Sequence, residues 1–328
     1  MKLIIQIPCL NEEATLPATI ADLPRRVEGI DEIELLVIDD GSTDRTVAVA
    51  RELGVDHIVR LTNNKGLAAG FQAGLDSCLK LGADVVVNTD ADNQYRGEDV
   101  AKLVAPIVAG EADMVVGDRQ VGQIEHFSGA KKGLQRLGSW VVRRLSGPEV
   151  PDATSGFRAY NREAALQLLV VDNFTYTLES LIQAGKELVA VDQVTIGTNP
   201  QTRESRLFAS TGSYVRRNAP AILRIYARYE PLRVFATAAA VLLALAFAAW
   251  LPFLIDWIFN GDNSGHIQSL ILGAVLFIAA VQMFALGVIG DLLAGQRAMT
   301  QRVFERVRRV ELALGVPPSH YEPGKRDE

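Results

Sequence analysis

The stretch that decides the fold reads ADVVVNTDADNQ and occupies residues 83–94. Three consecutive valines bounded by polar residues predict a short strand that is buried on both faces. Two carboxylates follow it, and we expect Asp90 and Asp92 to lie on the same side of an extended segment, with Gln94 continuing the alternation. Oxygen ligands of this kind suit a hard divalent cation such as Mg²⁺ or Mn²⁺. A plain helix-capping turn would carry the same residues, so it is their position after an apolar strand that favours a functional site.

Strands and helices alternate on both sides of this stretch. The pattern predicts strands over 2–8, 33–38, 57–61 and 84–89 and helices over 11–27 and 66–81. Such alternation is typical of an α/β fold whose mainly parallel sheet is covered by helices on both faces. Ligands bind at the carboxyl ends of the strands in these sheets. Polar residues follow three of the predicted strands, at 8–12, 39–40 and 90–94, and we expect one site there.

Two long apolar stretches lie in the C-terminal third of the chain. Residues 232–255 are nearly all Ala, Leu, Val and Phe, and residues 267–289 contain no charge. Each stretch is long enough to cross a hydrocarbon core of about 30 Å as a helix. The connector has the composition of a turn. The sequence therefore predicts a two-helix transmembrane hairpin. The alternative is a buried hairpin in a soluble core, where two such charge-free runs are rare.

Charge is distributed unevenly along the chain, whose 33 Lys and Arg and 39 Asp and Glu give a net charge of −6. Residues 1–200 hold 29 acidic and 19 basic side chains, whereas residues 201–233 hold seven arginines and two glutamates. An acidic body argues against a nucleic-acid binder, which would carry its basic surface on the folded domain. Arginines precede the first apolar stretch and follow the second, whereas the connector between them has no Lys or Arg. The positive-inside rule therefore predicts that both ends of the hairpin face the cytoplasm.

The basic residues before the first apolar stretch predict a helix that lies on the membrane surface over 208–231. Apolar residues recur there at three- and four-residue spacing beside four arginines, the pattern of an interfacial amphipathic helix drawn to anionic lipid. A solvated helix linking two domains is the alternative. The predicted organisation is therefore a domain over 1–207, this helix, the hairpin over 232–290 and a cytoplasmic helical tail over 291–328.

The motifs of the first 235 residues resemble those of family 2 glycosyltransferases with the GT-A fold, in the branch of polyprenyl-phosphate (dolichyl-phosphate) sugar synthases. The segments that carry the resemblance are IPCLNEE (7–13), VIDDGSTD (37–44), NKG (64–66), DADNQY (90–95), GDR (117–119) and SGFR (155–158). Their order is specific for the fold, and the Asp-x-Asp-x-Gln and Ser-Gly-Phe-Arg patterns favour the lipid-phosphate branch. The resemblance implies a Rossmann-like cytoplasmic domain that binds a nucleotide sugar.

The same resemblance implies roles for individual residues. Those implied for the nucleotide sugar are Pro8, Glu12, Asp39, Asp40, Lys65 and Asp90, and those for the metal ion are Asp90, Asp92 and Gln94. Arg119 would meet phosphate near the reaction centre. Arg203 and Arg206 lie in a segment that resembles the family's basic acceptor-binding segment but lacks the Gly often found there.

The expected chemistry explains these residue types. The leaving group is a nucleoside diphosphate, and a divalent ion held by Asp92 and Gln94 would neutralise its developing charge. A polyprenyl monophosphate has a second pKa of about 6, so this nucleophile needs cations to hold it rather than a strong base. Arginine stays charged and grips phosphate in a bidentate way. The cationic candidates are Arg119, Arg203 and Arg206, with Lys131 and Lys132 as a weaker pair. Family membership implies a single displacement with inversion at the anomeric carbon.

Several alternatives stay open. A processive polysaccharide synthase is disfavoured because the sequence has no Gln-x-x-Arg-Trp motif and only two predicted spans. A non-catalytic membrane scaffold is disfavoured because the sequence keeps four candidate site residues together: Asp90, Asp92, Gln94 and Arg119. Residues 90–95 and 174–179 resemble glucose- or N-acetylglucosamine-transferring relatives, which favours UDP-glucose or UDP-N-acetylglucosamine over GDP-mannose as donor. Glu179, in the latter segment, either touches the sugar or acceptor or lies on a helix surface. The two predicted spans and the C-terminal tail are also compatible with a homo-oligomer.

Overall fold

The computed structural model describes residues 1–120, 152–170, 176–200, 224, 226–260 and 266–324. The candidates Lys131, Lys132, Arg203 and Arg206 lie outside the described residues, as does most of the predicted surface helix over 208–231.

The chain divides into two compact units, one formed by Met1–Ala221 with Gln301–Glu328 and the other by Ile222–Thr300. The strands of the first unit are β1 (Lys2–Cys9), β2 (Glu32–Asp39), β3 (His57–Arg60), β4 (Val85–Asn88), β5 (Met114–Asp118), β6 (Arg158–Asn161), β7 (Val191–Thr195) and β8 (Tyr321–Pro323). Its helices are α1 (Leu16–Asp22), α2 (Thr46–Glu52), α3 (Leu67–Lys80), α4 (Val100–Val108), α5 (Arg162–Gln167) and α6 (Tyr176–Lys186).

Among the described residues, eight strands form one sheet in the order β7-β5-β6-β4-β1-β2-β3-β8. Strand β1 pairs in parallel with β2 and β4, and β2 pairs in parallel with β3. Strand β6 runs antiparallel to both β4 and β5, and β8 runs antiparallel to β3. The predicted α/β sheet is confirmed, with its parallel pairing limited to the β4-β1-β2-β3 block and the β5-β7 pair.

The parallel block is held together by continuous apolar runs. Every side chain from Leu3 to Ile7 in β1 is fully buried, as expected for a strand with helices on both faces. Helix α3 packs closely on this block, since a Cβ added at Gly74 would lie 2.7 Å from Ile38 Cδ1. This packing fixes the strand ends at which the polar segments begin.

The first helix is shorter than predicted. It begins at Leu16 rather than Asn11, and it ends at Asp22 rather than near residue 27. Asn11 has a φ of 55°, in the left-handed region, so the chain turns there before the helix starts. The carbonyl of Glu12 then accepts the N–H of Leu16. The turn keeps Glu12 beside the end of β1.

The second unit contains helix α7 (Pro231–Ile255) and most of helix α8 (Ile267–Ala313). Both helices are long and apolar enough to cross a membrane. Most of their large apolar side chains, such as Phe247 and Leu272, are exposed, which argues against the buried hairpin of a soluble core. Within the unit, the Trp250 indole N–H donates to the Leu270 carbonyl at 3.2 Å and pairs the two helices.

The last part of helix α8 and strand β8 belong to the first unit. Arg308 is only 3% exposed, and its Nη1 donates to the carbonyl oxygens of Ala165, Leu166 and Leu168 at 3.1, 3.3 and 3.0 Å. These carbonyls lie at the C-terminal end of α5, where a cation is favourable. The Nε of Arg308 also lies 3.4 Å from the carboxylate of Asp76 in α3. The C-terminal residues are therefore anchored on the α/β unit by a buried charge.

Candidate active site

Three strand ends meet at one edge of the sheet. Cys9 at the end of β1 pairs with Asp39 in β2, and Gln6 pairs with Asn88 at the end of β4. The chain therefore leaves β1, β2 and β4 side by side, and the three polar segments predicted to form a site come to the same edge.

Asp40, directly after β2, holds a neighbouring loop. It is 5% exposed, its Oδ1 accepts the N–H of Lys65 at 2.7 Å, and its Oδ2 accepts the N–H of Gly66 at 2.9 Å. Gly41 turns the chain with a φ of 77°, and a Cβ there would lie 2.7 Å from the backbone of Asn64. The side chain of Lys65 is exposed. Asp40 and Lys65, both predicted to bind the nucleotide, are thus joined through the loop backbone.

Asp39 is fully buried but only partly hydrogen-bonded. Its Oδ1 accepts the N–H of Ser42 at 3.0 Å. Within the described part of the chain, its Oδ2 has no hydrogen-bond partner, and the Nε of Arg60 is 3.6 Å away. A buried acceptor without a hydrogen bond is costly. Of the two adjacent carboxylates, Asp39 is therefore the better suited to accept an N–H or hydroxyl of a ligand.

Glu12 lies near the end of β1 and is 9% exposed. Its N–H donates to Thr46 Oγ1 at 2.8 Å, and its carboxylate accepts the hydroxyl of Thr15 at 2.7 Å. The charge of Glu12 contributes to the raised pKa of Asp90, after burial and the charge of Asp92. Pro8, the other predicted nucleotide residue of this strand end, is buried.

The segment after β4 is a turn, so the predicted extended alternation is wrong. Asn93 has a φ of 55°, and the N–H of Gln94 donates to Asp92 Oδ1 at 3.2 Å. An aspartate that bonds the backbone two residues ahead forms an Asx-turn. Asp90, Asp92 and Gln94 are therefore held in one tight loop rather than along a strand.

Asp90 and Asp92 interact unfavourably when both are ionised. Burial and the charge of Asp92 raise the pKa of Asp90 to about 6, while Arg119 and a hydrogen bond from Tyr95 oppose that rise. Neighbouring like charges disfavour the charged form of each group. A divalent cation at this loop would relieve the repulsion, so the electrostatics fit the predicted metal site.

The donor set fits a metal ion that shares its ligands with a substrate. Among the residues that the structure describes, no three His, Cys, Asp or Glu side chains form a cluster able to hold a metal ion. The two carboxylates and the Gln94 amide would leave coordination positions for phosphate oxygens and water. Mg²⁺ is bound in this way, by one or two carboxylates together with substrate phosphates.

Arg119, directly after β5, forms a partly buried bidentate pair with Asp152. Its Nε donates to Asp152 Oδ2 at 2.7 Å, and its Nη2 donates to Asp152 Oδ1 at 3.0 Å and to the Thr154 hydroxyl at 3.1 Å. Burial acts to raise the pKa of Asp152, but the hydrogen bonds and charge of Arg119 outweigh it and hold that pKa below its usual value. The charge of Arg119 opposes the rise in the pKa of Asp90 but does not outweigh burial and the charge of Asp92.

Sequence reasoning missed Asp152 and used the Ser155–Arg158 segment only as a family marker. Arg158 is fully buried and donates to the carbonyl oxygens of Ala153, Ser155 and Thr177. It therefore clamps the loop that carries Asp152. The available signal was an arginine between Phe157 and the pair Ala159 and Tyr160.

Glu179 lies in helix α6 and is 3% exposed. The alternative that it is a carboxylate on a helix surface is therefore wrong. A buried carboxylate is uncommon unless it is paired, so its burial indicates a specific role within the α/β unit.

Known families match both parts of the chain. Residues 4–169, about half of the chain, match Glycosyl transferase family 2. Residues 230–295, which include helix α7 and the first part of α8, match the GtrB C-terminal hairpin. The first match covers all the described candidate residues of the three strand ends, together with Arg119 and Asp152.

The sequence similarity to known relatives covers different lengths of the chain. The chain is 32% identical over 185 residues to polyprenol monophosphomannose synthase of Mycolicibacterium smegmatis, covering 54% of this chain and 68% of the relative. It is 27% identical over 317 residues to glycosyltransferase AglJ of Haloferax volcanii, covering 94% and 96%. It is 25% identical over 317 residues to dodecaprenyl-phosphate galacturonate synthase of Rhizobium johnstonii, covering 90% and 88%. The last two similarities include the apolar helices.

Among solved structures, the chain is similar to glucosyl-3-phosphoglycerate synthase of Mycobacterium tuberculosis in complex with Mn²⁺, uridine diphosphate and glucosyl-3-phosphoglycerate. The TM-score is 0.54 at 23% identity, covering 69% of this chain and 79% of the other. At this identity the likeness concerns the fold alone. Together with the family match, it confirms the GT-A fold.

Proposed function

Because the chain belongs to glycosyl transferase family 2, we propose that this glycosyltransferase moves a sugar from a nucleotide sugar to a polyprenyl monophosphate, such as an undecaprenyl or dolichyl phosphate, at the cytoplasmic face of a membrane. The product is a polyprenyl-phosphate sugar. One observation carries the proposal: a single chain matches both a family 2 domain and the GtrB C-terminal hairpin. Relatives named as polyprenol monophosphomannose synthase and dodecaprenyl-phosphate galacturonate synthase support this acceptor class.

The strand ends supply the donor side of the proposed reaction. The Asp39 Oδ2, buried and without a hydrogen bond in the described structure, would accept an N–H or hydroxyl of the nucleoside. Asp40 supports this position indirectly by holding the loop of Lys65 and Gly66. Glu12 and Pro8 complete the nucleotide side at the end of β1.

The loop after β4 would hold the metal ion. Bound Mg²⁺ or Mn²⁺ would stabilise the negative charge that develops on the nucleoside diphosphate. Asp90, Asp92 and Gln94 are the proposed ligands, and Asp90 would also contact the donor. Burial and the charge of Asp92 raise the pKa of Asp90, and a cation bound at this loop would relieve the repulsion between the two carboxylates, which supports this placement.

Binding of the acceptor phosphate is proposed to depend on cationic side chains. An oxygen of the lipid phosphate would attack the anomeric carbon while the bond to the diphosphate breaks, in one displacement that inverts the configuration. Arg119, held in place by Asp152, offers a cation that would reduce the repulsion between acceptor and donor phosphates. Lys131, Arg203 and Arg206 are proposed to hold the acceptor phosphate on the strength of the family resemblance.

The two apolar helices would place the enzyme where its lipid substrate is. A polyprenyl phosphate keeps its phosphate at the headgroup level, so a membrane-anchored enzyme meets it at a defined height and with less entropy to lose. The arginines on either side of the hairpin, with none in the connector, support a cytoplasmic position for both ends.

The proposal is tested with the full-length protein in proteoliposomes. Radiolabelled UDP-glucose, UDP-N-acetylglucosamine and GDP-mannose are supplied separately, with undecaprenyl or dolichyl phosphate and with Mn²⁺, Mg²⁺ or EDTA. The label is then measured in organic-extractable lipid, insoluble polymer and water-soluble fractions. NMR of the lipid-linked sugar gives the anomeric configuration.

We expect one donor to label the lipid fraction only when a divalent ion is present, with inverted configuration. Label in insoluble polymer would support a processive synthase instead. Absence of transfer from every donor to either lipid would contradict the proposed acceptor class, and full-speed transfer in EDTA would contradict the metal site.

A further inference from the structure

The segment that follows β7 lies along the loop that carries the proposed metal ligands. Thr198 forms an antiparallel bridge with Tyr95, and the N–H of Asn199 donates to the carbonyl of Gln94 at 2.9 Å. Asn199 is half-buried in this position. The backbone of the loop after β4 is therefore paired with a part of the chain that sequence reasoning did not connect to it.

The side chain of Asn199 adds bonds to the same loop. Its Nδ2 donates to the carbonyl of Asn93 at 3.1 Å, with longer contacts of 3.4 Å to the carbonyl of Tyr95 and to the carboxylate of Asp22 in α1. An amide nitrogen carries two protons, and the shortest of these bonds is the one to Asn93. With its backbone bond to Gln94, Asn199 therefore donates to three consecutive carbonyl groups of the loop.

Asn93 determines the shape of this loop. Its φ of 55° lies in the left-handed region, which few residues other than glycine adopt, and such a conformation persists when the surrounding structure fixes it. Asn93 stands between Asp92 and Gln94, so its backbone conformation decides how these two side chains are directed relative to each other. Asn199 supplies a contact from outside the loop that fixes the left-handed turn.

The backbone of Asn199 is fixed independently of its side chain. Two residues earlier, the N–H of Gly197 donates to Asp99 Oδ2 at 2.6 Å, and Asp99 is only 1% exposed. The carboxylate of Asp22 likewise accepts the N–H of Gly97 at 2.7 Å. Neither bond involves the side chain of Asn199, so a change of that side chain should leave the segment in place and remove only its bonds to the loop.

We propose that Asn199 is a positioning residue that holds the loop after β4 in the conformation in which Asp92 and Gln94 bind the metal ion. The inference deepens the proposed function and rests on it, because the metal role of this loop is assigned there. Asn199 acts through the carbonyl groups of the loop rather than by touching the metal ion or a substrate. Groups outside the coordination shell that orient the ligands in this way raise metal affinity. Asn199 is 106 residues from Asn93 along the chain, so no local pattern indicated it.

The first test measures Mn²⁺ binding directly. The full-length wild type and Asn199→Ala are titrated with Mn²⁺ in detergent, in the presence of uridine diphosphate or guanosine diphosphate, and free Mn²⁺ is measured by EPR. We expect the Kd for Mn²⁺ to rise about tenfold in the variant, because the two ligands lose their fixed orientation. Asn199→Leu keeps most of the side-chain volume and removes the donor, so it should show the same loss. A Kd within about twofold of the wild-type value in both variants would overturn the inference, and so would a loss confined to Asn199→Ala, which would indicate a packing effect.

Asn161→Ala is the matched control. Asn161 caps α5 by accepting the N–H of Ala164 at 2.8 Å, and its Nδ2 donates to the carboxylate of Asp113 at 2.7 Å. It pairs with Val85 at the start of β4, at the opposite end of the strand from the loop. Its loss should lower the melting temperature but leave the Kd for Mn²⁺ within about twofold of the wild-type value. An equal rise in Kd in Asn161→Ala and Asn199→Ala would contradict a specific role for Asn199.

The transfer assay separates positioning from a general loss of folded enzyme. In Asn199→Ala the Mn²⁺ concentration that gives half the maximal rate should rise about tenfold, while kcat at saturating Mn²⁺ stays within about twofold of the wild-type value. A lower kcat with an unchanged Mn²⁺ requirement would indicate a structural defect and overturn the inference. If the wild type binds no Mn²⁺ and transfers sugar in EDTA, the metal site of the proposed function fails. If the wild type binds Mn²⁺ and Asn199→Ala binds it equally well, only the positioning role fails.

Discussion

The carboxylates after β2 and those after β4 lie at the same edge of the sheet but in different electrostatic situations. Both oxygens of Asp40 accept backbone N–H groups, so its charge is stabilised by the protein itself. Asp90 lies beside Asp92, and burial together with that neighbouring charge raises its pKa to about 6. A carboxylate whose two oxygens both accept backbone N–H groups stabilises the local structure of the site. Two carboxylates that repel each other are instead suited to bind a cation. Asp39, with one oxygen bonded and the other not, combines both situations.

The largest effect is expected for Asp92→Ala. Loss of this proposed metal ligand should reduce sugar transfer below detection, at least about 10²–10³-fold, because the diphosphate charge would no longer be neutralised. Folding and membrane insertion should be preserved, since Asp92 is only half-buried and lies in a loop. Transfer to lipid and the melting temperature are measured together. Turnover like that of the wild type would remove the metal role from this loop.

Arg308→Ala tests a buried, ion-paired charge away from the site. Removing this buried cation leaves three carbonyl groups without their donor, while Asp76 keeps Lys80 at 3.2 Å, and we expect a loss of about 1–3 kcal/mol in stability. Arg309→Ala is the control, because Arg309 is exposed and pairs with Glu163 and Glu305, and its loss should cost at most about 1 kcal/mol. Unfolding of the full chain in detergent gives both values. Equal values would mean that burial of Arg308 does not anchor the C-terminal residues.

Asp40→Ala distinguishes a structural from a ligand-binding carboxylate. Loss of its bonds to the N–H groups of Lys65 and Gly66 should cost about 2 kcal/mol of stability. Donor affinity should fall only moderately, because the change acts through the loop. The unfolding transition and donor binding are compared with the wild type. Unchanged stability with lost donor binding would instead make Asp40 a direct ligand.

Arg206→Ala extends the comparison to the lipid acceptor. If Arg206 holds the acceptor phosphate, its loss should raise the KM for polyprenyl phosphate about tenfold and change the KM for the nucleotide sugar by less than about twofold. Steady-state kinetics with each substrate varied in turn gives both numbers. Equal increases in the two KM values would contradict an acceptor role.

The smallest effect concerns an ion-paired carboxylate far from the proposed site. Glu34 lies 2.7 Å from both Lys2 Nζ and His57 Nε2. Burial acts to raise its pKa, but these two partners outweigh burial and lower the pKa. A carboxylate whose pKa is lower in the folded protein contributes stability above its unfolded pKa, and that stability is lost as the pH falls through the folded pKa.

The melting temperature of the wild type should therefore decrease as the pH falls below about 4. Glu34→Gln should make that decrease shallower, with a difference of less than about 1 kcal/mol at pH 5. Thermal unfolding at a series of pH values measures the slope. A Glu34→Gln slope equal to that of the wild type would show that this group does not contribute.

Much of the fold was predictable because it depends on local patterns. The Val85–Val87 run indicated a strand covered on both faces, and β4 lies at that position. The polar segments after the predicted parallel strands indicated one edge, and the register of β1 with β2 and β4 places them together. The length of the first helix was not predictable, because it depends on the left-handed turn at Asn11.

The sequence by itself determined the α/β unit, the apolar helix pair and the residue types of the site, because strand burial and membrane length require only consecutive residues of the right polarity. Only the tertiary structure decided which charges are satisfied. Asp152 reaches Arg119 across 33 residues and Tyr95 reaches Gly156 across 61, and no local pattern encodes such pairs. The stability of an ionised carboxylate depends on the groups that surround it in space. The difference between Asp40 and Asp90 therefore depends on the tertiary structure and not on the local sequence.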